Sequence, residues 1–232
     1  VAIEPATGGV LALVSTPTFD PNLFVEGISV ADWRALSDSP EHPLLNRAMF
    51  STYPPGSTFK PFMALAGLES GKRRLDQRFN GQGVFSFVGH RFYDRKSSCQ
   101  SGVDMHRSLV YSCNTYYYQL ANEMGIDAVA NFMRRFGFGE RTGIDVPGEA
   151  VGVLPTPEWK RKRFTRKEQQ SWFGGETISV GIGQGYNAYT PLQVANAVAA
   201  LANDGVIYRP HVVKHVVDAR SGEKRRVEPE PI

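Results

Sequence analysis

A serine and a lysine three residues apart, Ser57 and Lys60, follow a Pro54-Pro55-Gly56 turn and open a stretch rich in helix formers. On a helix such a pair shares a face, and a neutral amine there can take the hydroxyl proton as the serine oxygen attacks a carbonyl. A position at the helix start adds two effects: the positive end of the dipole favours a developing oxyanion and disfavours protonation of the lysine. Pro61 locates that start, since proline costs about 3 kcal/mol in a helix interior and little in the first turn. Phe59, Phe62 and Met63 flank the lysine and predict a desolvated amine of lowered pKa. The spacing alone is common. Ser221 and Lys224 repeat it in a polar glycine turn, and a capping serine followed by a solvated lysine is the plain alternative for Ser57 too.

A second constellation bears on the first. Ser112-Cys113-Asn114 interrupts a helical pattern over residues 103–124, so a hydroxyl and an amide project together from a short interhelical loop. A proton shuttle and a carbonyl clamp are then available, against the plainer reading of Asn114 as an ordinary helix cap. The order S-x-x-K, S-D-N, K-T-G is the signature of penicillin-binding proteins and serine β-lactamases. The run PLLNRAMFSTYPPGSTFKP (43–61) resembles the nucleophile region of class B penicillin-binding proteins, especially the elongation-type protein 2. SCNTYYYQLANEMG (112–125) resembles their second motif and its helix, and GIGQGYNAYTPLQVANAVAALANDG (181–205) their glycine segment and following helix. The resemblance covers nearly the whole chain.

It implies an α+β fold of the penicillin-binding transpeptidase and serine β-lactamase kind, an antiparallel sheet flanked by helices, over residues 1–232. It also implies that Ser57 is acylated by a peptidoglycan stem peptide ending in D-Ala-D-Ala, or by a β-lactam antibiotic. Lys60 would serve as base, Ser112 and Asn114 would relay protons and position substrate, and the Ser57 N–H would form half of an oxyanion hole. No cofactor is required. No Lys-Thr-Gly or Lys-Ser-Gly triplet occurs, and the family places that strand beyond Ile232, so the domain is expected to be incomplete at its C-terminus and impaired as a fragment. A membrane anchor and an N-terminal non-catalytic domain are implied outside this chain, with a site at the periplasmic face of the bacterial inner membrane and a membrane glycan polymerase of the elongation machinery as partner. Two rival functions stand beside D,D-transpeptidation. One is a β-lactamase or β-lactam sensor, for which no clear deacylating glutamate is seen, Glu41 and Asn46 lying before the nucleophile. The other is a non-catalytic binding module.

The two cysteines, Cys99 and Cys113, exclude a disulfide-dense scaffold and permit one bridge in an oxidising compartment. A bridge and two free thiols both remain open. By the resemblance, some relatives bind zinc here through two aspartates, a histidine and a cysteine. Asp94 and Cys113 match two of these, while Asn80 and Gln100 replace the others, which argues against a metal; with Cys99 or His90 as a substitute ligand, a zinc site is the third state open to the cysteines. A formal charge of +3 with pI near 8.9 falls far short of a nucleic-acid stripe. No run of about 18 apolar residues occurs that would suggest a membrane span.

The remaining pattern supplies the frame. Residues 1–15 read as a hairpin, 30–36 as a short helix, 57–70 as a core helix closed by Gly71, and 81–93 as strand. Residues 127–136 and the Thr190-Pro191 start to Asn203 read as helices, and the tail from Ile207 as an exposed hairpin turning at Ser221-Gly222. The 181–185 glycines have the wrong spacing for a dinucleotide loop and read as close-packed backbone near the active-site sheet. The charged run over 160–167 reads as a solvated loop. With no linker in view, one mixed domain is the economical expectation.

Overall fold

In the computed structural model, which describes residues 1–80, 83–94 and 96–232, the helices are short and the strands shorter. Among the described residues the helices are α1 (Val30–Ser37), α2 (Lys60–Glu69), α3 (Met105–Val110), α4 (Asn114–Met124), α5 (Ile126–Arg134), α6 (Pro157–Arg163), α7 (Lys167–Gln170), α8 (Gly174–Val180) and α9 (Pro191–Leu201). The strands are β1 (Ala2–Ile3), β2 (Val10–Ala12), β3 (Val84–Phe87), β4 (His90–Tyr93), β5 (His215–Val217) and β6 (Lys224–Arg226). They pair as three two-stranded antiparallel ladders, β1 with β2, β3 with β4 and β5 with β6. The antiparallel pairing expected from sequence is thus distributed over separate hairpins. Residues 81–82, at the start of the expected third strand run, lie outside the described residues.

The chain divides into two compact units. One comprises Val1–Tyr53, Gly139–Gly152 and Tyr189–Ile232, and the other Pro54–Phe138 and Val153–Ala188. The single domain read from sequence had no linker to mark such a division, because each unit is assembled from non-contiguous segments.

In the first unit Ala48, Met49, Ile144 and Leu192 are buried together, with Ile3, Val10, Leu13 and Val146 packed around them. Helix α9 opens as Thr190 and Pro191 predict: the Thr190 hydroxyl accepts from Gln193 N, and the Gln193 side chain accepts from Thr190 N. Gln193 Nε2 also donates to the carbonyls of Glu140 and Val151, tying the 139–152 segment to the helix start.

The second unit is helical around α4. Thr115, Tyr116, Tyr117, Tyr118, Leu120 and Ala121 of that helix are buried, and α2, α5 and α8 pack against it. Phe62 of α2 meets Phe136 and Phe138 edge to face, so the core helix expected over 57–70 is buried at Phe62 and Ala66, while Leu65 is exposed. The charged run is a correction. Thr156 caps α6 through its hydroxyl and Pro157 follows as its first residue, and Lys160 is 3% exposed, donating to Ser171 O at 2.7 Å and pairing with Glu176. The run is thus helical through Arg163 and again from Lys167, non-helical at 164–166, and solvated as expected at every charged residue but Lys160.

Candidate active site

Residues Gly56–Phe59 form a 3-10 turn that runs directly into α2 at Lys60. In a 3-10 turn the side chains at i and i+3 eclipse, so Ser57 and Lys60 lie on one side more directly than in the α-helix expected from sequence. Ser57 is exposed and Lys60 is 1% exposed. One group faces solvent while the other is withdrawn beneath it.

Lys60 Nζ donates to Ser112 O at 2.7 Å, Ser112 Oγ at 2.9 Å and Asn114 Oδ1 at 2.6 Å. Three acceptors match the three hydrogens of an ammonium. Ser112 Oγ in turn donates to Ser57 Oγ at 2.8 Å. The four residues singled out in the sequence are therefore brought together, and the path from amine to exposed hydroxyl runs through Ser112. Burial lowers the Lys60 pKa from 10.5 to about 8; the Asp94 carboxylate opposes that shift and Lys96 adds to it. With that value about a tenth of the amine is neutral at pH 7. The Tyr117 ring, with its centroid 5.6 Å from Nζ, forms an apolar wall, and burial pushes the pKa of its phenol up.

Ser112 reaches this position through its backbone. Helix α3 ends in a paired-bond cap, with Cys113 N donating to Ser108 O at 2.9 Å and Ser112 N to Leu109 O at 3.1 Å. That cap requires a left-handed residue at the Ser112 position, usually glycine, and Ser112 adopts φ 57°. A β-carbon is held in a conformation that disfavours it by about 1–2 kcal/mol. The hydroxyl is thereby carried to the point between Lys60 and Ser57.

Of the states left open for the cysteines, the structure has the bridge: Cys99 and Cys113 are joined with their Cα atoms 5.5 Å apart. The Asp94 carboxylate is engaged by the start of α4, accepting from Asn114 N and Thr115 N, each at 2.7 Å, and from the Thr115 hydroxyl at 2.5 Å. Among the described residues no group of three or more His, Cys, Asp or Glu is arranged to hold a metal.

The glycine segment closes the other side of the Gly56–Phe59 turn. Gly56 N donates to Gly183 O at 2.9 Å. A β-carbon on Gly183 would overlap the Gly56 carbonyl oxygen and lie 2.8 Å from Phe59 Cβ, and Gly183 has φ 71°. Close-packed backbone near the active-site sheet is what the sequence suggested; the structure packs it on the Gly56–Phe59 turn instead. Ser221, the other serine of the repeated spacing, donates to Asp218 Oδ1 at 3.0 Å in an exposed turn. Sequence reasoning weighed Asp94 only as a metal ligand. Its capping role acts across 20 residues of chain, and no local pattern signals it.

The transpeptidase domain of penicillin-binding proteins matches residues 1–232. The chain is 49% identical to the peptidoglycan D,D-transpeptidase MrdA of Acinetobacter baumannii over 97% of this chain and 32% of that protein. It superposes on Pseudomonas aeruginosa PBP2 with a TM-score of 0.85 and 42% identity, over 99% of this chain and 50% of that one. A structure described as the coordination of polymerization and crosslinking by a peptidoglycan synthase complex gives 0.84 at 35% identity, over 99% and 38%. The chain belongs to the penicillin-binding protein transpeptidase domain family. Within that family the similarity is to the MrdA or PBP2 type, and the chain spans about a third of the length of the curated relatives it matches.

Proposed function

We propose that the protein containing this domain is a peptidoglycan D,D-transpeptidase of cell-wall elongation, acting through an ester on Ser57. The observation that carries the reading is the continuous hydrogen-bonded path from Lys60 through Ser112 to Ser57, with spacings of 2.9 and 2.8 Å. Neutral Lys60 takes the Ser112 proton while Ser112 takes that of Ser57, and Ser57 Oγ attacks the carbonyl between the two terminal D-alanines. The Ser57 N–H stabilises the oxyanion from the helix-tip side. The proton returns along the same path to the leaving amine, D-alanine departs, and an amine from a second stem peptide then takes the acyl group and restores the serine. Asn114 Oδ1, 2.6 Å from Nζ, holds the amine in line, and its amide nitrogen serves the substrate.

A β-lactam enters the same path, but its leaving nitrogen stays tethered, so the ester persists. Acyl transfer of this kind needs no cofactor. The partner we propose is a membrane glycan polymerase of the elongation machinery, supported by the likeness to a chain of the synthase complex. The site we propose is the periplasmic face of the inner membrane; among the described residues no helix is long and apolar enough to cross a membrane. Fluorescent penicillin tests the reading on the full-length protein. A label that persists for many minutes and is lost in Ser57→Ala is expected, whereas rapid release of the label identifies a β-lactamase.

A further inference from the structure

Helix α4 starts immediately after Ser112 and Cys113, and its first-turn N–H groups need acceptors that the helix itself cannot supply. The residue at the cap position is Cys113, whose sulfur is bound to Cys99 and which makes no side-chain cap bond. Asp94, leaving β4, supplies the acceptor instead. One oxygen takes Asn114 N, and the other takes both the backbone N–H and the hydroxyl of Thr115. Asn114 is thus held twice, its backbone by Asp94 and its side chain by Lys60. The β3–β4 hairpin is closed at the same point, where Asp94 N donates to Gly83 O at 2.8 Å.

We infer that Asp94 is a positioning residue for the acyl-transfer site: its carboxylate fixes the first turn of α4 and so aims Asn114 and Ser112 at the Lys60 amine. The inference rests on the reading of Ser57 as the acylated residue. Without the carboxylate, two N–H groups lose their partner and the first turn is free to fray. Asn114 Oδ1 and Ser112 Oγ then no longer hold the amine and the nucleophile in line, and small displacements of such groups cost rate steeply.

The carboxylate has a second consequence, through charge. The charged groups acting on Lys60 are Asp94, which raises its pKa, and Lys96, which lowers it, with the phenol of Tyr117 as the neighbour on α4. Lys96 is itself held by Tyr111 O at 3.1 Å. Removing the Asp94 charge leaves burial and Lys96 unopposed, so the amine loses its proton at lower pH.

The test measures fluorescent-penicillin acylation of full-length Asp94→Ala and Asp94→Asn, expressed per site labelled after long exposure. We expect both variants to label to a stoichiometry near that of the parent but at least about tenfold more slowly for Asp94→Ala and several-fold for Asp94→Asn, with the rising limb of the pH–rate profile displaced to lower pH. If the variants lose labelled sites while the remaining sites react at the parental rate with an unmoved limb, Asp94 only supports the fold and the inference is overturned. Label surviving in Ser57→Ala would instead strike the underlying assignment of the nucleophile, an outcome separate from either of these.

Discussion

Lys60 donates to both oxygens of Ser112, the carbonyl oxygen at 2.7 Å and the hydroxyl at 2.9 Å. The carbonyl contact fixes where the Ser112 backbone sits, and the hydroxyl contact fixes how its side chain points. A lysine that is 1% exposed thereby has a partner that both locates it and links it to the Ser57 hydroxyl. Burial without such partners would be costly for an ammonium.

The pH dependence of acylation follows from the lowered Lys60 pKa. Below about 8 the amine is protonated and cannot act as base; above it the neutral form dominates. The acylation rate is expected to rise with pH through about 8 and then level. For folding the sign is worked from proton binding: between about 8 and the model-peptide value of 10.5 the unfolded chain binds more protons than the folded one, so the contribution of this group to stability rises with pH. Stopped-flow acylation across pH 6 to 10 checks the first expectation and chemical denaturation over the same range the second.

Ser112→Gly separates backbone from side chain. Glycine relieves the positive φ at the α3 cap, which adds up to about 1 kcal/mol of stability. It also deletes the hydroxyl between Lys60 and Ser57, and acylation is expected to fall by about a hundredfold or more. Ser112→Ala should slow acylation similarly with no gain in stability. Melting temperature and acylation rate measured together decide the matter, since they move in opposite directions only if the strain and the relay reside in the same residue.

Gly183→Ala adds one carbon where the Gly56 carbonyl oxygen already lies. Either the nucleophile turn or the glycine segment must shift, at an expected cost of about 1–3 kcal/mol, and the residue also carries an unfavourable φ. Acylation is expected to fall along with melting temperature. Gly71→Ala is the comparison, because Gly71 also has positive φ but nothing lies within 4 Å of its added carbon; it should lose stability without slowing the labelled sites.

Opening the disulfide tests how firmly the second motif is braced. A bridge closing a loop of this length contributes about 3 kcal/mol, and here it joins Cys99 to the residue between Ser112 and Asn114. Cys99→Ser with Cys113→Ser is expected to lower denaturant stability by about that amount and to slow acylation. A parental rate in the paired variant would show that the hydrogen bonds to Asp94 hold the loop unaided.

Much of this site was legible in the sequence, for physical reasons that can be named. Ser57, Lys60 and Pro61 mark a helix start, and Ser112 and Asn114 sit where a helical period breaks; both signals depend only on near neighbours. The α9 start at Thr190-Pro191 was equally local. The features that escaped depend on distant chain. Asp94 caps a helix that begins 20 residues later, Gly183 packs on Gly56, and Lys160 turns inward to meet Glu176 from within a run that reads as solvated. Propensity and period are silent about such pairings, which only the closed fold creates. The helices α6 and α8 were missed for a related reason, being short segments whose Thr-Pro and glycine starts were overshadowed by a charge run and a glycine cluster.

The central claim is that Ser57, and not the second serine of the same spacing, becomes acylated. Mass measurement of the full-length protein after exposure to a β-lactam tests it directly. A single covalent adduct that is absent in Ser57→Ala and retained in Ser221→Ala is the expected result. An adduct that survives Ser57→Ala, or its absence from the parent protein, would contradict the account.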